Sequence, residues 1–360
     1  MENKHNPWDL KQMQSLSLNS KIRMTQQRIR DWYEYWDGDV YVSFSGGKDS
    51  TVLKHIVDSM YSDVPALFVN TGLEYPEIQK FVKEIKAGKY ECFNSDVEIV
   101  RPEMRFDEVL KKYGYPIISK EVAQTLYEAQ KNAVTGKYTY RIKKLNGEAL
   151  DKNGNPSQYN IPQYKFLLDA PFGISHKCCD VMKKNPAKKY EKETGRKPII
   201  ATMASESRLR KSKWIRFGCN AFEQSRPTSQ PLSFWTEQDV LHYIKMHNLP
   251  YATVYGEIVI DEKVDGENII EGQMNIIDYL GCHEQGDKLK TTGCKRTGCI
   301  FCAFGCKTEK APNRFQRLKE THPRQYDYCI NGGEMVDGKW QPNKDGLGLG
   351  KVLDYINVKY

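Results

Sequence analysis

Two stretches of this chain hold residues whose types and spacing could do chemistry. Ser45-Gly46-Gly47-Lys48-Asp49-Ser50 brings two hydroxyls, two glycines, a cation and a carboxylate together. Glycines permit positive φ and a close approach of backbone to a ligand. Lys48 supplies a point charge suited to phosphate, and the serines add hydroxyl donors. Cys294, Cys299, Cys302 and Cys306 are spaced as C-x4-C-x2-C-x3-C. Four thiolates so spaced can converge on one centre, either tetrahedral zinc or an iron–sulfur cluster. Cys178 and Cys179 are adjacent, whereas Cys92, Cys219, Cys282 and Cys329 are scattered and read as structural.

The elements that must position these residues follow from periodicity. Val40, Val42 and Phe44 alternate with Tyr41 and Ser43, which predicts a strand. The run from Ser50 continues at helical spacing, so the glycines would sit at a helix N-terminus, where amides and dipole favour an anion. A second strand is expected at 64–70 and a third at 97–100, with a helix through Ile78, Phe81, Val82 and Ile85 between them. Strands alternating with helices imply an α/β, doubly wound, mostly parallel sheet, which binds ligands at the carboxyl ends of its strands. Further helices are expected over 8–36, 106–113, 119–134 and from Cys178 to Gly195, and another strand over 197–202. Thr236 with acidic residues after it reads as a helix N-cap, and Leu241, Ile244 and Met246 read as core. The polar stretch 135–165 reads as a surface insertion with a short strand at 138–142 and a turn at 151–156.

The hexapeptide resembles the PP-loop of the ATP pyrophosphatase superfamily; the Gly-x-x-x-x-Gly-Lys spacing of a Walker loop is absent. The resemblance implies ATP with its pyrophosphate end on Ser45, Gly46, Gly47, Lys48, Asp49 and Ser50, and transfer of AMP to an acceptor. Mg2+ would bridge the phosphates, with Asp49 as a water-mediated ligand. Val69 to Glu77, containing Asn70, Thr71 and Gly72, is similar to the second motif of the phosphoadenosine phosphosulfate (PAPS) reductase family within that superfamily, a motif near the nucleoside. Ala201 to Arg210 resembles a further motif of that family. Glu206, Ser207 and Arg210 match it, while Ala201 and Met203 stand where Gly and Arg are common. Losing that arginine removes a bidentate grip on phosphate or sulfate. Gln230 to Tyr251 matches another segment, so the resemblance runs from Val40 to Phe304 with five motifs in order. Lys48, Asp49 and Arg210 are the implied catalytic residues.

Relatives such as adenylyl-sulfate reductases and DNA phosphorothioation proteins carry a [4Fe–4S] cluster. In the reductases a Cys-Cys pair joins a later C-x-x-C. Two ligand sets are therefore open: Cys294, Cys299, Cys302 and Cys306, which needs no long-range closure, or Cys178, Cys179, Cys299 and Cys302. A [4Fe–4S] cluster is expected, with Zn2+ as the alternative. The same reductases use a nucleophilic cysteine in a Glu-Cys-Gly-type segment. None occurs in these 360 residues, and Cys329 is the one cysteine after Cys306.

Composition sets outer bounds. Hydrophobic content is 39%, and no apolar stretch is long enough to span a membrane. Met1 to Pro7 lacks a signal-peptide core, so a cytoplasmic location is expected. The net charge is +8, and residues 177–216 hold thirteen Lys or Arg against four Asp or Glu. That segment is a candidate contact for nucleic acid. The linear division expected is a helical segment over 1–37, a nucleotide-binding domain over 38–255 and a cysteine-cluster region over 256–360. Three functions follow: adenylation of an acceptor for sulfur transfer to a nucleic acid, with a sulfur- or electron-donor protein as partner; reduction of a sulfonucleotide; or a non-catalytic nucleotide-binding component of a complex.

Overall fold

The computed structural model describes residues 3–261 and 287–360. Cys282, read from the sequence as structural, lies outside them. Contacts divide the chain into two interleaved units, and this differs from the linear division expected above. The first comprises Met1–Asn70, Tyr75–Val100 and Ala187–Thr297. The second comprises Thr71–Glu74, Arg101–Pro186 and Gly298–Tyr360. The physical reason is that sheet pairing joins strands far apart in sequence, with long segments between them folding on their own.

The first unit is built on a six-stranded sheet in the order Val97–Val100, Ala66–Val69, Val40–Ser43, Lys197–Ile200, Thr228–Ser229, Asn220–Ala221. All neighbours run parallel except the last pair. Register pairs Val42 with Ala66 on one side and with Ile199 on the other. Val40, Tyr41 and Val42 are all fully buried, so the strand alternates between two covered faces, as a central parallel strand must. One face packs Val40, Val42 and Phe44 with Val52, Ile56 and Phe68. The other packs Tyr41 with Leu67 and Tyr190.

The helix expected over 8–36 is two helices, Pro7–Gln14 and Leu18–Tyr35. Ser17 ends the continuity, because its side chain accepts from Ser20 N and so caps a new helix. Lys21 on the second helix is buried against Asp239, 2.8 Å from both carboxylate oxygens. Thr236 does cap Glu237–Met246, with Asp239 returning a bond to Thr236 N at 2.6 Å. Leu241 and Ile244 are core, but Met246 is 51% exposed because it falls on the outer face of the last turn.

The second unit carries the helices Phe106–Tyr113, Lys120–Thr135 and Tyr140–Asn146, and later Arg314–Thr321, Pro323–Ile330 and Leu349–Tyr355. Ile117–Ile118 pairs in parallel with Ala303–Phe304, and Glu334–Val336 with Lys339–Gln341 forms a hairpin. The strand expected at 138–142 is instead the helix Tyr140–Asn146. Gly147 at φ +83 closes it by donating to Lys143 O and Lys144 O, a C-terminal signal that outweighs the β-prone tyrosines. Leu145 and Ala149 are buried and anchor the stretch, while most of its described residues, 150–156 among them, are exposed. The helix expected from Cys178 opens with a π-helical turn, Asp180–Lys184, before the α-helix Asn185–Thr194. Among the described residues, no helix is long and apolar enough to cross a membrane.

Candidate nucleotide loop and thiol cavity

In the first unit the strand Val40–Ser43 delivers Ser45–Ser50 at its carboxyl end, and Gly47 is the N-cap of Lys48–Met60. Gly46 takes φ +70, and a Cβ there would stand 2.8 Å from methyl groups of both Ile78 and Val82, so the tight turn requires glycine. Hydroxyls lace the loop together. Ser45 Oγ and Ser50 Oγ are 3.0 Å apart. Ser50 Oγ and Thr51 Oγ1 donate to Gly47 O at 2.9 and 3.0 Å. Ser45 itself stays exposed. The loop thus sets the helix N-terminus directly after a glycine turn, the arrangement that favours an anion.

Lys48 is buried, yet its Nζ lies 3.2 Å from both Asp49 Oδ1 and Glu237 Oε1. Burial pulls its pKa down, but the two carboxylates outweigh that and the ammonium is held above its ordinary value. Asp49 Oδ1 is buried, with the Lys48 ammonium as its partner. Lys48 N donates to Tyr255 Oη at 3.1 Å, and Tyr255 Oη is 2.7 Å from Thr297 Oγ1. Glu206 accepts from Met203 N at 2.9 Å and pairs with Arg210, with Arg296 at 3.7 Å. Burial and the neighbouring Arg296 lower the Arg210 pKa, while Asp49 raises it. Ser207 caps Arg208–Phe217 by accepting from Arg210 N.

The sequence-based set is therefore divided. Ser45 to Ser50, Glu206, Ser207 and Arg210 belong to the first unit. Asn70 ends its strand there, donating to Val100 O at 2.8 Å. Thr71 and Gly72 belong to the second unit, where Thr71 Oγ1 donates to Glu74 at 2.6 Å. Met203 is buried in the core. Sequence reasoning missed Tyr255, Thr297 and Glu237 as partners of the loop. The acid in the first turn after Thr236 was visible, but nothing in the sequence pointed it at Lys48.

In the second unit Cys178, Cys179, Cys299 and Cys302 line one cavity with Leu73, Met182 and Lys183. Cys306 does not line it. That thiol is buried and donates to Ala303 O at 3.0 Å. Cys294 belongs to the first unit, where its N–H donates to Val254 O. Cys178 Sγ lies 4.0 Å from Cys179 Sγ. A hydrogen bond to Cys179, and then burial, hold the Cys178 thiol up. Its donation pulls Cys179 down to about 6 against burial, with help from Lys120 and Lys183. Burial pushes Cys299 up to about 11, opposed by Lys183. Lys183 is also buried, but Cys299, Glu74 and Cys179 keep its ammonium above the usual value. Among the described residues, no group of three or more His, Cys, Asp or Glu side chains closes around a single-ion position. Cys329 is wholly buried, and burial alone lifts its thiol far above the usual range, which makes it inert.

A parallel sheet with a glycine turn, a helix N-terminus and a held lysine at one strand end defines an α/β nucleotide-binding fold. The chain belongs to the phosphoadenosine phosphosulfate reductase domain family, whose model matches residues 39–149 and 120–304. That family is enzymatic and binds adenine nucleotides. An uncharacterized protein of Methanocaldococcus jannaschii is 36% identical over 91 residues, 24% of this chain and 21% of that one. Another from the same organism is 34% identical over 90 residues, 24% of this chain and 18% of that one. Adenosine 5'-phosphosulfate reductase of Staphylococcus epidermidis is 22% identical over 112 residues, 31% of this chain and 45% of that one. The chain thus spans less than half the length of these relatives. A solved phosphoadenylyl-sulfate reductase from Candida auris aligns over 70% of this chain and 92% of that one, at 16% identity and a TM-score of 0.37.

Proposed function

We propose that this chain binds ATP with Mg2+ on Ser45–Ser50 and adenylates an acceptor oxygen for sulfur transfer to a nucleic acid. The observation that carries the reading is the loop itself, with its required glycine, its laced hydroxyls and a buried Lys48 whose charge is maintained by Asp49 and Glu237. The acceptor oxygen attacks the α-phosphorus. A P–O bond forms as the bond to the α,β-bridging oxygen breaks, and pyrophosphate leaves with that electron pair. Lys48 and the helix-terminal amides neutralise the charge gathering on the leaving group. Where the acceptor is a nucleobase carbonyl, a hydrosulfide then attacks the activated carbon. The C–S bond forms as AMP leaves with the C–O pair.

Cys178, Cys179, Cys299 and Cys302 are the residues that would hold a [4Fe–4S] cluster; a single Zn2+, the alternative, is less favoured because among the described residues no three of these thiols close around a single-ion position. The donor set fits: four sulfurs round one cavity, a lowered Cys179 and the Lys183 cation to offset thiolate charge. Such a cluster supplies an electron store or an iron that binds sulfur. The four thiolates would orient it, and Lys183 would balance part of its charge.

A second reading, reduction of a sulfonucleotide, is favoured by that same pairing of Cys178-Cys179 with Cys299-x-x-Cys302. Against it stand the inert Cys329 and the buried Met203. Incubation with Mg-ATP and a thiol-depleted oligonucleotide, with AMP and pyrophosphate measured, tests the first reading. Lys48→Ala is expected to abolish both products. Sulfite released from adenylyl sulfate or PAPS, with no AMP from ATP, would favour the second.

A further inference from the structure

The second unit contains a cleft that neither the loop nor the thiols use. We propose that it binds single-stranded nucleic acid, an inference that rests on the nucleic-acid acceptor proposed above. The cleft has a volume of about 240 Å3 and is lined by Lys111, Lys112, Lys131 and Lys339 together with Tyr113, Tyr127 and Trp340. Among the described residues lining it, none is acidic; Glu334 and Asp337 share the hairpin but do not line the cleft. The four lysines are exposed, which leaves their charge available to phosphate.

Each aromatic ring has a lysine beside it. Lys112 Nζ is 5.4 Å from the centre of Tyr113, Lys177 Nζ 6.0 Å from Tyr127 and Lys351 Nζ 4.2 Å from Trp340. Single-strand sites combine rings on which bases stack with cations that meet the phosphates; of these three cations Lys112 lines the cleft, while Lys177 and Lys351 flank it. Duplexes bury their base faces, so the pairing selects single strands. Trp340 is preorganised: its N–H donates to Pro171 O at 2.6 Å and its Nε1 to Gly348 O at 2.8 Å. A Cβ at Gly333 would lie 2.4 Å from the ring and one at Gly348 2.8 Å, so a side chain at either position would displace it. The basic run 177–216, by contrast, is split between the units after Pro186.

Fluorescence anisotropy with labelled single-stranded DNA and RNA, and with duplex, at salt between about 50 and 200 mM tests the cleft. The wild type is expected to bind single strands over duplex. Lys111→Gln, Lys112→Gln and Lys339→Gln combined should weaken binding at least tenfold. The slope of log affinity on log salt should shrink by about 2, at roughly 0.7 per lost phosphate contact. The substituted lysines are exposed, and an unchanged melting temperature of the unliganded variant checks that it is folded. Three results would overturn the cleft: no single-strand binding by the wild type, an unaltered slope in the triple variant, or loss of binding in Lys188→Gln with Lys192→Gln instead. All three leave ATP binding at Lys48 intact as a separate test, so failure of the cleft and failure of the proposed function are distinguishable.

Discussion

The nucleotide loop and the thiol cavity are built in opposite ways. Ser45 to Ser50 are contiguous, and their bonds to one another and to Gly47 and Thr51 span at most a few residues. The thiol cavity joins Cys178 and Cys179 to Cys299 and Cys302 across more than a hundred positions. A contiguous site is legible from residue order, because local geometry alone assembles it. A dispersed site is not legible from spacing, and only the resemblance to the reductases offered Cys178, Cys179, Cys299 and Cys302 together. Spacing therefore pointed to Cys294, Cys299, Cys302 and Cys306. The fold draws Cys294 into the first unit by its bond to Val254 and turns Cys306 onto a backbone carbonyl.

The largest expected effect breaks or sharpens that contrast directly. In anaerobically purified protein, Cys178→Ser or Cys299→Ser should remove nearly all bound iron or zinc, and Cys294→Ser should leave it. Metal analysis beside an absorption spectrum reads the result. Loss in Cys294→Ser with retention in Cys178→Ser would restore the contiguous set.

Next in size is the loop cation. Lys48→Ala removes charge-assisted bonds to phosphate and should weaken Mg-ATP binding roughly 10- to 100-fold by calorimetry. Tyr255→Phe removes a weaker support, the hydroxyl between Lys48 N and Thr297. About 1 kcal/mol of stability should go with it, read by chemical denaturation. Equal losses of nucleotide affinity in both variants would mean that the loop depends on Tyr255 as much as on its own sequence.

The smallest effect is on pH. Burial and then the nearby His247 depress His55 to about 4, so the folded state favours the neutral ring, which sits 2.9 Å from Tyr243 Oη. Between about 4 and 6.5 the unfolded chain binds the extra proton, so this contribution is present above pH 6.5 and lost as pH falls towards 4. Allowing for partial exposure of the ring, about 1 kcal/mol is at stake. His55→Gln should flatten that limb of a stability profile. A profile that stays as steep would assign it to other groups.

Much of the first unit could be read from its sequence for the same reason as the loop. Val40–Phe44, the helix after Lys48 and the Thr236 cap are local patterns, and the structure reproduces them. The misreadings lie where a distant or terminal signal decides. Gly147 closes a helix over residues that resemble a strand, Ser17 restarts a helix inside one apolar pattern, and Met246 falls off the buried face at the last turn. Glu237 and Tyr255 reach the loop only through tertiary packing, which no spacing rule encodes.

The central claim is that Ser45–Ser50 is an ATP site governed by Lys48. The most direct measurement is a thermal-shift titration of wild type and Lys48→Ala with Mg-ATP, adenylyl sulfate and PAPS, since a ligand of the native state raises its apparent stability. The account predicts the largest shift with Mg-ATP in the wild type and its loss in Lys48→Ala. A larger shift with either sulfonucleotide, or an ATP shift that survives the substitution, would contradict it.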